Sequence, residues 1–520
     1  MLILGFSAYH GDVSAVLLRD GQLVAALEEE RFRRIKHCAG VPREAIARCL
    51  QIGGVCASDI DVFAVPRARR AHLGRKILFA LRHPTAWRLA RAHRTSAARL
   101  LSLPGIVGAA TGLDPARVAE RLYCVEHHPA HLASAFFVSG VEDATVCAID
   151  GFGDFVSTSW GAGSGGAIEV TRRTFFPHSL GLLYLALTQY LGFPAYGDEY
   201  KVMGLAAYGK PRFADRIHRL ITLHPSGEFT LSLEYFRHWT GEVTTCWEDG
   251  SPEVGRVWAP ALEELLGPAR APGSSLDPRH ADIAASLQAV FEEAMFHVLR
   301  AAHARHPHET LCLAGGCAMN SVANGKIRAS TPFRHVYVQP AAGDSGVALG
   351  AALHAWHVAH RGRRVLVMDR ASWGTSYDDE MIGEVLDASR ELAASGCVRT
   401  CLCTERLLEE VAGHIAAGRV VGWFQGRMEW GPRALGHRSI LADPRRGDMR
   451  AIINSKIKLR EEFRPFAPSV VEECKDAYFV EPADDPFMTQ VCVVRPEKRA
   501  LIPAVTHVDG TARLQVVSRR

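Results

Sequence analysis

The chain has 520 residues, 48% of them hydrophobic and 22% charged, with a formal net charge of +4. That size gives roughly three or four domain-sized units with large cores, and the balance argues against a disordered chain or one held to nucleic acid by bulk charge. No stretch approaches the roughly 18 uninterrupted apolar residues of a membrane span.

Residues 2–7 read as a buried strand rather than a signal peptide, because no basic segment precedes them. The thirteen cysteines are scattered, odd in number and without zinc-ribbon spacing, so reduced thiols in a cytoplasmic protein with no membrane partner are expected. Strands over 14–18 and 22–27 follow, joined at Arg19-Asp20-Gly21, a hairpin signal. Between the first two lies Tyr9-His10-Gly11-Asp12, a polar turn of the kind that holds phosphate or a metal-bound group. The third strand runs into the charged stretch Glu28 to His37, mostly an ordinary solvated helix start. His10 and Lys36 are retained as site candidates.

From residue 62 to 113 there is no acid, while Arg67, Arg69, Arg70, Arg75, Lys76, Arg82, Arg88, Arg91, Arg94 and Arg99 accumulate. Such a run suits an anionic substrate, nucleic acid or membrane surface. Interleaved Leu, Ala and Trp87 suit an amphipathic surface helix equally, and the nearly balanced whole chain favours that reading over all three.

Glu126-His127-His128-Pro129-Ala130-His131 opens an apolar, alanine-rich helix. His127 and His131, four apart, leave one face together, and such pairs suit zinc, iron, copper or nickel. His128, three from His131, is an alternative to His127. A strand over 145–149 then meets the glycine turn Asp150-Gly151-Phe152-Gly153-Asp154, followed by paired strands over 157–161 and 167–171. Strand, polar turn and hairpin thus occur twice, the pattern of a duplicated domain of the actin, sugar-kinase and Hsp70 type with its ligand in a cleft.

Glycines 197, 204 and 209 permit close backbone approach to a ligand, which marks Glu199 and Lys201 as substrate candidates. A helix over 282–302 and a strand over 310–314 lead to Gly315-Gly316-Cys317-Ala318-Met319-Asn320. Glycines placed there bring N–H groups toward a phosphate or adenosine. A strand over 336–339 precedes Asp344 in a second glycine turn. His127, His131, Asp150 and Asp344 together suit ferrous iron, zinc or manganese. Beyond a basic connection, a helix over 405–418 and a strand over 420–424 introduce Gly431-Pro432-Arg433-Ala434-Leu435-Gly436. Arg433, with Lys456, Lys458, Arg460, Arg464 and Arg513 further on, offers the fixed donors that polyphosphate or carboxylate-phosphate binding needs.

These stretches resemble the O-carbamoyltransferase family of nodulation-factor, cephamycin and tobramycin-type carbamoylation. The matching motifs, in family order, are the His10-Gly-Asp turn, Leu27-Glu-Glu-Glu-Arg31, His127-His-Pro-Ala-His131, Lys201-Val-Met-Gly-Leu-Ala, Gly315-Gly-Cys-Ala-Met-Asn320, Gly343-Asp-Ser-Gly346, Gly431-Pro-Arg-Ala-Leu-Gly436, Phe463-Arg-Pro-Phe-Ala-Pro468 and His507-Val-Asp-Gly-Thr-Ala-Arg513. The resemblance implies an α/β protein with a duplicated actin-like metal-dependent transfer domain over 1–356, a connection over 357–400, and a YrdC-like domain over 401–520. The second domain would form carbamoyl-adenylate from carbamoyl phosphate and ATP with Mg²⁺, holding them with Arg433, Lys458, Arg464 and Arg513. The first would pass the carbamoyl group to a small-molecule hydroxyl. His127, His131, Asp150 and Asp344 match the ligands of an iron-like ion, His10 and Lys36 lie by the reacting group, and His10 is the candidate base. Two departures stand out: His-Gly-Asp where many relatives have His-Asp, and an end at Arg520, before the Asn-Thr-Ser-Phe-Asn and Gly-Glu-Pro-Ile segments of relatives. A C-terminally incomplete YrdC-like domain is therefore expected. The competing readings are a tRNA threonylcarbamoyl-transferase-like enzyme and a nucleotide-binding scaffold.

Overall fold

The computed structural model describes residues 1–68, 70–83 and 101–518. Arg69, Arg88, Arg91, Arg94 and Arg99 of the basic stretch lie outside the described residues. The chain divides into two compact units, Met1–Asp369 with Thr489–Val491, and Arg370–Met488 with Cys492–Arg520.

The first unit is built on two sheets of one plan. In the first, β1 (Leu2–Phe6), β2 (Ser14–Arg19) and β3 (Gln22–Glu28) form an antiparallel meander. Two further strands, β4 (Val62–Val65) and β5 (Leu122–Cys124), add in parallel on the other side of β1. The order is β3-β2-β1-β4-β5. Asp20 and Gly21 both have positive φ, 49° and 80°, as the tight β2–β3 hairpin requires.

The second sheet repeats the pattern with β6 (Asp143–Gly153), β7 (Val156–Ser164), β8 (Ala167–Phe175), β9 (Thr310–Ala314) and β10 (His335–Val338). Its order is β10-β9-β6-β7-β8, antiparallel among β6–β8 and parallel from β6 to β10. The same topology twice in one unit is the duplicated actin, sugar-kinase and Hsp70-like architecture.

Helices set the site between these strands. In chain order they include α1 (Leu73–Arg82), α2 (His127–Phe136), α3 (Glu199–Ala206), α4 (Pro278–Arg305), α5 (Ser321–Ser330) and α6 (Gly346–His354). The long α4 starts earlier than its apolar periodicity suggests, because Asp277 accepts the His280 N–H at 3.1 Å and Pro278 occupies the first turn. In α1 aliphatic side chains face outward, with Leu73, Ile77 and Leu81 exposed, while Phe79 packs inward on Phe176. No helix among the described residues is long and apolar enough to cross a membrane.

The second unit is a mixed α/β body of short elements. It contains α7 (Thr404–Ala416) and an antiparallel pair, β11 (Val421–Phe424) with β12 (Arg438–Leu441). A parallel pair joins Ser469–Val471 to Gln515–Val517. Phe479, Val494, Ile502, Val505, Ala512, Leu514 and Val516 form its main apolar cluster. Helices at Asp379–Ala388 and Arg390–Ala394 occupy the segment expected to be a plain connection.

Helix α6 is buried at every position but its last. Small residues let it lie against two backbones at once. A Cβ on Gly5 of β1 would stand 2.2 Å from the Ala348 carbonyl oxygen, and one on Gly350 would stand 1.7 Å from that of Ala130 in α2. This crossing therefore sets the distance between α2, which carries the histidines, and the turn before α6, which carries Asp344. Gly350→Ala should cost about 1–3 kcal/mol through overpacking and lower both the thermal midpoint and the metal bound per chain. An unchanged melt would show that the crossing accepts a methyl group.

Candidate metal centre and cationic cluster

The first turn of α2 is fixed from outside. Asp154 Oδ2 accepts the His127 N–H at 3.1 Å and the Ala68 N–H at 3.0 Å, placing a carboxylate where the helix N-terminus favours one. Spacing of one helical turn then brings the His127 and His131 Nε2 atoms to 3.0 Å. Asp150 lies late in β6, where Gly316 N–H donates to its Oδ1 at 2.8 Å and Ser179 Oγ donates to its carbonyl at 3.0 Å. Asp150 Oδ2 is left 3.4 Å from His127 Nε2 and 3.7 Å from His131 Nε2. Asp344 Oδ1 approaches the same two nitrogens at 3.4 and 3.7 Å.

Four donor atoms, one from each residue, thus lie within 4.8 Å of one another. Ligands about 2.1 Å from a common ion stand about 3.0 Å apart at a right angle and about 3.4 Å apart at the tetrahedral angle. The observed spacings fit such an ion, and the two-nitrogen, two-oxygen donor set suits zinc, ferrous iron or manganese. Electrostatics agrees. Burial alone would lower the His127 pKa, yet hydrogen bonds to Asp150 and Asp344 raise it to about 10. Burial opposes ionisation of both acids, but the imidazoles hold Asp150 and Asp344 well below the usual carboxylate range. His128 is no ligand: its Nε2 meets the Val156 carbonyl at 3.0 Å.

His10 is brought to this centre. Its ring stacks on His127 with centroids 5.0 Å apart, and its Nδ1 lies 3.4 Å from Asp344 Oδ2. Its other nitrogen, Nε2, accepts from Arg67 Nε at 3.1 Å. Burial, reinforced by Arg67, lowers the His10 pKa to about 4. Arg67 also donates to the Tyr9 carbonyl at 3.3 Å. Sequence reasoning counted Arg67 as one of a basic run, and nothing local distinguished it from its exposed neighbours.

Tyr196 is a second addition. A Cβ on Gly11 would meet the Tyr196 hydroxyl at 2.8 Å, so the phenol rests on the turn that carries His10. Burial keeps it well above its ordinary pKa, and Asp344 is the next cause, so it remains a donor. Lys36 lies apart from the four donors, with Nζ 4.3 Å from the Tyr200 ring centroid. Lys201 pairs with Asp198 at 2.9 Å, and burial pushes the Glu199 carboxyl up. Asp12, Glu30 and His37 also place donor atoms close together. Within that group His37 Nδ1 is 2.8 Å from Asp12 and the His37 main-chain N–H donates to Glu30 at 2.8 Å, while the buried His37 Nε2 has no hydrogen-bond partner.

The loop expected to bind nucleotide has visible structural duties. Gly315 has φ +92°, and a Cβ there would stand 2.2 Å from the Ile149 carbonyl oxygen. The Gly316 N–H holds Asp150, and Asn320 accepts from Ala323 N at the start of α5 while exchanging two hydrogen bonds with Gln288.

In the second unit Glu429 organises the Gly-Pro-Arg loop. Its Oε1 accepts from the main-chain N–H groups of Leu435, His437 and Arg438 at 2.8, 2.9 and 3.1 Å. Burial would raise its pKa, but these donors lower it overall. Beyond the loop, cations crowd one another. Burial and then Arg464 bring Arg433 down to about 10. Arg513 is also lowered well below its ordinary value, by burial and then Arg433, with Arg460 and Arg464 contributing. Lys458 is lowered by burial and by Arg460 and Arg464. Cations that depress one another in this way stand close together, an arrangement with the charge to hold a multiply charged anion. Exposed Arg445 and Arg446 instead pair with Asp443 and Asp448.

In the metal-free protein, His127 carries a proton at neutral pH because its pKa is about 10. A bound ion must displace that proton. Affinity for Zn²⁺ or Fe²⁺ should therefore rise from about pH 6 to about pH 9, with close to one proton released per ion. Calorimetry in buffers of different ionisation enthalpy reads this directly, and pH-independent binding would contradict the arrangement.

Comparison with known proteins adds the family. The "Carbamoyltransferase N-terminus" model matches residues 2–71 and 106–353, and the "Carbamoyltransferase C-terminus" model matches 412–520. The nodulation protein NolNO of Sinorhizobium fredii is 40% identical over 98% of this chain and 70% of its own length. An uncharacterized protein of Synechocystis, sll1178, is 38% identical over 99% of this chain and 86% of its own. Among solved structures, a ROK hexokinase from Thermus thermophilus covers 70% of this chain and 100% of its own at 13% identity, but its TM-score of 0.34 is too low to carry a fold argument. With both parts matched in order and such relatives along nearly its full length, the chain belongs to the carbamoyltransferase family and is a transferase.

Proposed function

We propose that this transferase is an ATP-dependent O-carbamoyltransferase: the cationic cluster serves carbamoyl-adenylate formation, and the His–Asp centre serves transfer to a small-molecule hydroxyl. The observation that carries the reading is the presence in one chain of a four-donor metal centre and a separate cluster of mutually depressed cations. Each suits one half-reaction.

In the first half-reaction, carbamoyl phosphate, ATP and one water give carbamoyl-adenylate, pyrophosphate and phosphate. Arg433, Lys458, Arg460, Arg464 and Arg513 have the charge to hold these phosphates and to stabilise charge at the α-phosphorus, with Mg²⁺ accompanying ATP. The Glu429 hydrogen bonds keep the loop carrying Arg433 in one shape, so the receptor is preorganised. The YrdC-like assignment of this unit belongs to the same reading.

In the second, the acceptor oxygen forms a bond to the carbamoyl carbon, the bond to the AMP oxygen breaks, and the hydroxyl proton passes to a base. His127, His131, Asp150 and Asp344 would hold the ion, with ferrous iron favoured. When bound, it supplies Lewis acidity toward the carbamoyl or phosphate oxygen. His10 Nε2 is the proton acceptor in this reading. Arg67 occupies that lone pair here at 3.1 Å. The leaving phosphate would attract Arg67 and free the nitrogen, coupling AMP departure to proton uptake. The buried Tyr196 hydroxyl is placed to donate to a substrate oxygen. Lys36 is assigned with His10 to the reacting carbamoyl group, Glu199 and Lys201 to substrate contact, and Gly315, Gly316 and Asn320 to binding the adenylate.

The test separates the halves. Purified chain with ATP, carbamoyl phosphate, Mg²⁺ and Fe²⁺ should release pyrophosphate and form carbamoyl-adenylate. Arg433→Ala should reduce that release at least about tenfold, while His131→Ala should spare it and abolish transfer from added carbamoyl-adenylate. Absence of adenylate would overturn the first half, and transfer surviving in His131→Ala would overturn the metal assignment.

A further inference from the structure

Helix α1 is amphipathic the wrong way round for a helix that only covers a globular core. Its inward stripe is polar and aromatic. The Arg75 guanidinium lies 3.9 Å over the Phe175 ring, Phe79 meets Phe176 at 5.1 Å, and His83 meets Trp239 at 5.5 Å. Ahead of the helix, His72 Nε2 lies 3.3 Å from Glu126. The outward stripe, one helical turn apart along the rod, is Leu73, Ile77 and Leu81 with Leu78 beside them, exposed by 52%, 52%, 73% and 46%. Four adjacent large aliphatic side chains in water are costly unless something covers them.

Two further observations say what covers them. The first is charge. Arg70 and Arg82 are exposed beside the stripe, and no acidic residue occurs from 62 to 113. The second is the limit of the family match: the N-terminal model matches 2–71 and resumes at 106, so α1 lies outside the machinery common to the family. An aliphatic stripe bordered by arginines and free of acids is the pattern of a helix that lies in an anionic bilayer surface, with aliphatic groups among acyl chains and guanidiniums among headgroup phosphates. A second copy of the chain fits less well, because it would bring the same cations face to face. A nucleic acid would leave the aliphatic stripe in water.

We propose that α1 is a membrane-surface anchor, seating this transferase on anionic phospholipid through Leu73, Ile77, Leu78 and Leu81 and the bordering arginines. The anchor lies in the interface without spanning it. The segment leading into it is held to the transfer domain at Ala68, which donates to Asp154, the same carboxylate that receives the His127 N–H. The inference stands on the geometry of α1 and is separate from the carbamoyl chemistry proposed above.

The test uses the full chain and sucrose-loaded vesicles of phosphatidylglycerol with phosphatidylcholine, against phosphatidylcholine alone. The protein should sediment with the anionic vesicles, less so as salt rises, and not with the neutral ones. The Leu73→Glu/Ile77→Glu/Leu81→Glu variant should bind anionic vesicles more weakly by at least about tenfold, while its melting temperature and metal content stay unchanged. The substituted side chains are exposed, so folding should survive. Failure of the unaltered chain to sediment with anionic vesicles would overturn the proposal, as would equal binding by the variant. A single-stranded RNA shift without vesicle binding would overturn it in favour of nucleic acid, and a vesicle-independent dimer lost in the variant would overturn it in favour of self-association.

Discussion

Two carboxylates, Asp150 buried and Asp344 partly buried, held against two buried imidazoles are the constraint on which the first unit depends. The imidazoles of His127 and His131, with His10 at Asp344 and the Gly316 N–H at Asp150, favour the ionised form of these acids against the cost of burial. Everything around the four side chains limits their relaxation. Gly316 fixes one oxygen of Asp150, Asp154 fixes the start of α2, and the Gly350 contact fixes how closely the Asp344 turn approaches. A divalent ion would replace the His127 proton and leave the same framework in place. The duplicated fold makes this possible by bringing turns and helix starts from distant parts of the sequence to one point.

Much of that was legible in the sequence, for physical reasons. The i,i+4 histidines share a face wherever a helix forms, and the apolar run into Asp150-Gly151 marks a buried strand meeting a turn. Asp344 follows from the same logic at β10. The repeated strand and hairpin pattern foretold the two antiparallel meanders, β1–β3 and β6–β8, because both need the same alternation of buried strand and tight turn; the parallel strands β4 and β5 and the sheet order were not legible. His10 was identifiable because its turn is equivalent to the one at Asp150.

What stayed hidden depends on contacts between residues far apart in sequence. Arg67 looks like every other arginine in its run until β4 is placed beside β1 and the side chain reaches His10. Tyr196 acquires meaning only when Gly11 is found beneath its hydroxyl. The glycines at 315 and 316 suggest a phosphate loop, yet here one packs on Ile149 and the other binds Asp150. In α1 the composition was visible but the direction was not, since periodicity gives two faces without saying which one the protein keeps.

The most direct test of the central claim is X-ray absorption at the metal edge of the chain loaded with iron or zinc. The account predicts a first shell of nitrogen and oxygen near about 2.1 Å with outer-shell scattering from two imidazoles, reduced to one in His131→Ala. A spectrum without imidazole scattering, or one unchanged by His131→Ala, would contradict it.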